Sequence, residues 1–224
     1  MIDFRAIRGW VFDIDDTLYL ERTYVLSGFA AVDRWLVEVH DVRGFGKAAI
    51  ARFNRGARGN TFDLALADIG YPNAHGLVAE MVQRYRTHEP AISLATDAAR
   101  HLQRLSGKMP IAIVSDGPLA SQERKVKALE LASVATTILL TDRWGPEFHK
   151  PHARAFREIQ TAWEFKGEQL VYAADNPSKD FHAPRALGWQ TIRIARPEGE
   201  YSGLATPINE AILEIASFDD LEEA

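Results

Sequence analysis

Three acidic residues fall within four positions in the run Trp10-Val11-Phe12-Asp13-Ile14-Asp15-Asp16-Thr17, directly after a short apolar segment. Carboxylates crowded at the end of a buried segment repel one another, and unpaired charge there is costly, so the cluster requires a cation, a phosphoryl group or both. Mg2+, a hard ion that prefers oxygen ligands, is the natural partner. Further along lie Ser115-Asp116-Gly117, His149-Lys150-Pro151 and Asp175-Asn176, with Asp180 one turn later. This set suits phosphoryl transfer. A carboxylate such as Asp13 can attack phosphorus in line and form an aspartyl-phosphate, dividing hydrolysis into two easier steps. Asp15 can protonate the leaving oxygen and then activate water. Charge developing on the phosphoryl oxygens needs fixed positive partners, and Mg2+, Lys150, Ser115 and nearby backbone N–H groups are the candidates.

These residues need a scaffold that brings them to one edge. Five apolar, β-rich runs are bounded by turn residues: Trp10–Asp13, Ile111–Ser115, Thr137–Thr141, Leu170–Ala174 and Thr191–Ala195. Strands apolar on both faces and separated by helical segments predict an α/β fold, a Rossmann-like doubly wound parallel sheet. Ala95–Leu105, Leu119–Leu131, His152–Ala162 and Ser178–Leu187 supply the helical periodicity, with Gly107 and Gly188 at expected helix stops. Ligands of such sheets bind beyond the carboxyl ends of the strands, and each group of candidate residues follows one strand or precedes the next helix.

Between the first and second strands the chain is far longer than a single crossover helix requires. Ser27–His40, Gly44–Arg52, Thr61–Ile69 and Ala74–His88 read as helices within it, Phe29, Val32, Leu36 and Val39 recurring every three or four positions. The expected organisation is a catalytic core of residues 1–20 and 92–224, with an α-helical cap domain, residues 21–91, inserted after the first strand. Phe29, Trp35, Phe45, Phe53 and Phe62 are expected to form the core of that insert.

With 224 residues and 46% hydrophobic content the chain can bury a core without staples. It has no cysteine, and its net charge is -5 with no basic block, which argues against nucleic-acid partners. Arg5 and Arg8 do not make a signal peptide, and no run reaches the length of a membrane span. A soluble cytoplasmic protein acting on a small molecule is expected, with its oligomeric state open.

The chain resembles the phosphatases of the haloacid dehalogenase superfamily. The family's Asp-x-Asp-x-Thr motif appears as Asp13-Ile14-Asp15-Asp16-Thr17, its Ser/Thr motif as Ser115, its lysine as Lys150 and its acidic motif as Asp175-Asn176-Pro177-Ser178-Lys179-Asp180. The resemblance implies catalysis by Asp13, Asp15 and Lys150, with the phosphorylated substrate bound by Thr17, Ser115, Asp116, Gly117 and Lys150. It implies Mg2+ held by the Asp13 side chain, the Asp15 carbonyl and Asp175, with Asn176 and Asp180 behind these ligands or orienting Lys150. Two positions depart from the pattern: Ala174 where many relatives have Gly, and Asp116 where Asn is common. Asp116 is expected to point away from the phosphate or to bond to backbone.

The leading expectation is a phosphomonoester hydrolase acting on a sugar phosphate or nucleotide. A sugar-phosphate mutase, a 2-haloacid dehalogenase and a receiver-like phosphorylation domain are the alternatives. Asp15 argues against the dehalogenase, whose relatives lack a carboxylate there, and the length and helical insert argue against the receiver. Asp16 is expected to be solvated or capping, Thr17 to bond within its loop or only to rigidify it, His149 to take a surface or packing role rather than touch a phosphate, and Arg196 to be solvated or to bind a substrate anion. Glu21, Arg22 and Tyr24 are expected in a loop reaching toward the site.

Overall fold

A computed structural model describes residues 2–72, 74–206 and 211–222 and assembles the expected strands into one parallel sheet. β1 (Gly9–Phe12), β2 (Ile111–Ser115), β3 (Thr137–Leu140), β4 (Leu170–Ala174), β5 (Gln190–Ile194) and β6 (Leu213–Ile215) lie in the order β3-β2-β1-β4-β5-β6. β6 is absent from the sequence reading. It is three residues long and one of them is exposed, so no alternation marks it; its pairing with Ile192–Ile194 makes it a strand.

β1 sits between β2 and β4, and the winding direction of the sheet reverses beside it. Asp13 leaves its carboxyl end at that reversal, where open α/β sheets bind their ligands. Its own backbone N–H still donates to the Ala173 carbonyl at 3.0 Å, so the position of Asp13 is set by the sheet.

Alternation along the strands divides the core between two faces. Val11, Ala112, Val114, Tyr172 and Ala174 pack with Trp189 and with Phe156 and Ile159 of α7 (Arg154–Trp163). Trp10 and Phe12 turn to the other face and meet His101 of α5 (Thr96–Leu105), which stacks on Phe218 with ring centres 4.8 Å apart. Cover on both faces is why these strands read as unbroken apolar runs.

Two helices end differently from their periodicity. α6 (Leu119–Ala128) stops before Leu131 because Glu130 turns the chain at φ 53°. α8 (His182–Ala186) begins well after Ser178. Residues 177–179 instead form a turn in which Asp180 accepts the Asn176 N–H and Asn176 accepts the Ser178 N–H, each at 2.9 Å. Side chains of this type compete with helix for backbone partners.

The chain forms two compact units, one of residues up to Glu21 with those from Ser93 onward, the other of Arg22–Ile92. The second is built from α1 (Glu21–His40), α2 (Phe45–Asn54), α3 (Thr61–Asp68) and α4 (His75–Thr87). Phe29, Val32 and Leu36 project from one side of α1 into a core with Phe45, Leu66 and Met81. Trp35 is buried there, and Phe29 meets the Phe45, Phe53 and Phe62 rings edge-on. A Cβ at Gly28 would come within 2.3 Å of the Tyr85 ring, so glycine permits that close approach. α1 starts at Glu21 rather than Ser27, which makes Glu21, Arg22 and Tyr24 helical rather than loop residues.

His101 couples this packing to pH. Burial, reinforced by Arg104 and opposed by Asp97 and Asp219, lowers its pKa from 6.5 to about 4, and its Nε2 finds no partner among the described residues. The unfolded chain therefore binds the extra proton between those values, and stability falls as pH falls through that window. The total loss by pH 4 is about 3 kcal/mol. Urea titrations across this range should show a shallower pH dependence for His101→Phe than for wild type.

Candidate active site

At the carboxyl edge of the sheet, Lys150 occupies the middle of an acidic cluster. Its ammonium lies 2.9 Å from Asp13 Oδ1 and 2.8 Å from Asp180 Oδ1, and donates to the Tyr172 hydroxyl at 3.0 Å. Burial alone would lower its pKa, but Asp13 and Asp180 hold it well above the usual lysine range. Breaking such a pair by removing the cation leaves buried charge uncompensated.

Carboxyl oxygens of Asp13, Asp175 and Asp180, all buried, lie within 4.8 Å of one another. Burial pushes Asp13 up to about 6, with Lys150 pulling the other way. Asp175 is pushed to about 9 by burial and then by the charges of Asp13 and Asp180. Without a further cation the site thus holds more negative charge than Lys150 offsets. An all-oxygen set with this surplus fits a hard divalent ion, with Asp13 and Asp175 as its side-chain donors. Asp180 is already engaged, by Lys150 through one oxygen and by the Asn176 N–H through the other.

Asp15 stands apart from that group. Lys125 grips both its oxygens, at 2.6 and 2.7 Å, Gln122 donates to Oδ2 at 3.3 Å, and the Tyr19 hydroxyl donates to Oδ1. Burial opposes ionisation here, but Lys125 overrides it and holds the carboxyl below its ordinary range. Ser115, 1% exposed at the end of β2, donates its hydroxyl to Gln122 Oε1 at 3.1 Å. Gly117 turns at φ 110°, a conformation that favours glycine, and starts the chain toward α6. The Asp142 carboxylate accepts the Leu119 N–H at 3.0 Å and so closes the start of that helix.

Asp116 bonds to backbone, as expected: Oδ1 accepts the Lys150 N–H at 3.1 Å and the Thr141 hydroxyl at 2.7 Å, while Lys179 pairs with Oδ2 at 2.7 Å. Although burial opposes it, these cations and donors bring its pKa down to about 2. Thr17 is fully buried, yet its hydroxyl has no partner among the described residues, so it does not tie its own loop. His149 pairs with Asp142 at 3.2 Å.

Of the two readings of Asp16 capping holds, and the expectation for Arg196 is corrected. Asp16 is 3% exposed, and from φ 49° its carboxylate accepts the N–H of Glu21 and that of Glu200, each at 2.8 Å. It thereby starts α1 and ties the segment after β5 to the acidic motif. Arg196 is neither solvated nor free for a substrate anion. Its guanidinium donates twice to the Thr17 carbonyl and twice to Asp97.

Lys125, Gln122, Tyr19, Tyr172 and Arg193 also belong to the site, and none of them is part of a motif in the sequence. The available signal was polar Gln122 and Lys125 three positions apart in a helix that must cover the sheet. Arg193 lies in β5 between Ile192 and Ile194, where a buried ionised residue is conspicuous. It donates to the carbonyls of Asp175, Tyr201 and Leu204, at 3.3, 2.6 and 2.7 Å.

The profile of the haloacid dehalogenase-like hydrolases matches residues 10–194. The chain belongs to this family. It is 22% identical over 205 residues to glyceraldehyde 3-phosphate phosphatase of Methanocaldococcus jannaschii, covering 88% of each chain. Among solved structures, this haloacid dehalogenase-like hydrolase resembles the magnesium-bound putative HAD-hydrolase YfnB of Bacillus subtilis, with TM-score 0.66, 17% identity and 97% of each chain covered. It also resembles the 2-haloacid dehalogenase of Pseudomonas syringae pv. Tomato, with TM-score 0.65, 20% identity and the same coverage. At such identities the structural likeness establishes the shared fold.

The two N–H groups gathered by Asp16 give a direct test of its role. Asp16→Ala removes their acceptor and should cost roughly 1–3 kcal/mol of stability. Asp16→Asn, which keeps an oxygen and tolerates positive φ, should lose less. Urea unfolding of the two variants measures the difference.

Proposed function

We propose that this hydrolase is a Mg2+-dependent phosphomonoesterase acting on a small phosphorylated metabolite, a sugar phosphate or a nucleotide, in the cytoplasm. The observation that carries the reading is the convergence of Asp13, Asp175 and Asp180 on Lys150, with a second carboxylate, Asp15, two positions beyond Asp13. The phosphatase relative supports the substrate class. Asp15 favours phosphate over halide release, because a departing halide needs no proton and a departing alkoxide does.

In this reading the negative charge of a bound phosphate ester opposes the pull of Lys125 and lets Asp15 take up a proton; an oxygen of Asp13 attacks phosphorus as the bond to the leaving oxygen breaks, and Asp15 delivers that proton to the departing oxygen. The Ser115 hydroxyl and the N–H groups of Asp116 and Gly117 hold phosphoryl oxygens, with Lys150 offsetting their charge. Thr17, whose buried hydroxyl has no partner, is a further candidate donor. Asp15, now a carboxylate, takes a proton from water, which attacks phosphorus and releases inorganic phosphate with Asp13 restored. A Mg2+ ion held by Asp13, the Asp15 carbonyl and Asp175 would supply Lewis-acid stabilisation of the phosphoryl charge. Asn176 and Asp180 orient the loop and the lysine behind it. The helical unit, inserted directly after the acidic motif, is the candidate for selecting the leaving group.

With Mg2+, wild-type protein should release nitrophenol from p-nitrophenyl phosphate, and Asp13→Asn should be slower by roughly a thousandfold or more. Chelation by EDTA should stop turnover and added Mg2+ restore it. Equal rates in wild type and Asp13→Asn would discard the nucleophile assignment. Halide release from 2-haloacids, with no phosphate release from phosphate esters, would replace the reading with dehalogenation.

A further inference from the structure

One buried cluster lies outside the motifs that define the site: the face of α6 turned toward Asp15. Gln122 and Lys125 are one turn apart there and each is 3% exposed. A lysine on a sheet-covering helix ordinarily keeps its ammonium in water. This one is desolvated against Asp15, and its fit is close at both oxygens. Gln122 is equally committed, donating to Asp15 through its nitrogen while its oxygen accepts the Ser115 hydroxyl.

We propose that Lys125 and Gln122 are positioning residues for Asp15, holding its carboxyl in the orientation from which it serves the leaving-group oxygen, in register with Ser115. The inference rests on the phosphomonoesterase reading above. An aspartate at that position has strong reasons to turn away: Asp13, Asp16 and Glu21 all bring like charge to its surroundings. A grip on both oxygens fixes both side-chain torsions, which a single hydrogen bond does not. Misplacement of a reacting group by about 1 Å costs on the order of a hundredfold in rate, so the grip has kinetic weight.

The support for this grip is built into the backbone. Ser115 ends β2, Gly117 makes the turn, and a Cβ on residue 117 would come within 3.1 Å of Gln122 Nε2. The same short stretch of chain therefore delivers Ser115, which the proposed reaction uses on phosphate, and the two residues that hold Asp15. Phosphate binding and leaving-group protonation are thus referred to one rigid piece of the fold.

The test compares kcat/KM, which reports the steps through ester cleavage, for 2,4-dinitrophenyl, p-nitrophenyl and phenyl phosphate. The leaving phenols become less acidic along that series and depend increasingly on a delivered proton. Lys125→Met and Gln122→Met should each lose about tenfold or more in rate on phenyl phosphate relative to dinitrophenyl phosphate. Lys125→Arg, which keeps a donor cation, should recover part of that selectivity. Adding Lys125→Met to Asp15→Asn should leave the leaving-group dependence of Asp15→Asn unchanged, because the lysine acts through that carboxylate. Thermal melts identify any loss of folding, and Gln122→Met, a neutral exchange, carries the test if Lys125→Met does not fold. Equal losses across the three esters, or a gain on phenyl phosphate, would overturn the positioning role. Wild-type protein inactive on all three esters would overturn the phosphomonoesterase reading, and this inference with it.

Discussion

The ammonium of Lys150, enclosed between Asp13 and Asp180, is the interaction on which the carboxyl edge of the sheet depends. Asp13, Asp15, Asp16, Glu21, Asp175 and Asp180 all gather there, and the fold meets their repulsion in different ways. Lys150 serves Asp13 and Asp180, Lys125 serves Asp15, and Lys179 serves the neighbouring Asp116. Asp16 is satisfied by backbone N–H groups alone. Glu21 and Asp175 form no ion pair among the described residues, and burial pushes their pKa values up to about 8 and about 9. The cost of ionising a carboxyl is greatest at Asp175, which is also where the chain offers side-chain oxygens to a dication.

That arrangement explains why a parallel sheet is an effective carrier. β1, β2 and β4 end side by side: Asp13 and Asp175 directly follow the last residues of β1 and β4, and Ser115 is the last residue of β2. Ser115 and Asp175 need no long loop to reach Asp13. The lysines come from elsewhere, Lys125 from inside α6 and Lys150 from the segment before α7. Both are buried, which only a buried acceptor makes tolerable.

The strands and the acidic motifs were legible in the sequence because local signals specify them: apolar runs, turn residues and carboxylates at fixed spacing. β6 was not, since three residues with one exposed carry no periodicity. α8 starts later than its periodicity predicts because Asn176 and Asp180 spend their side chains on nearby N–H groups and delay the helix. The second contact of Asp16 and those of Arg196 escape the sequence for a different reason. Their partners, Glu200 and Thr17, lie nearly the length of the chain away, and nothing local announces such a contact. Lys125 belongs with them: as a residue type it reads as a solvated helix position, and only the buried carboxylate of Asp15 overturns that.

The guanidinium groups of Arg193 and Arg196 hold the segment after β5 and the acidic loop largely through main-chain carbonyls: those of Asp175, Tyr201 and Leu204 for one, that of Thr17 for the other. A carbonyl is offered by every amino acid. The path of that segment beside the site is therefore largely independent of which side chains decorate residues 197–205. Such a strap leaves room for divergence, letting lineages or protein engineers exchange its surface residues while its course past Asp175 is kept.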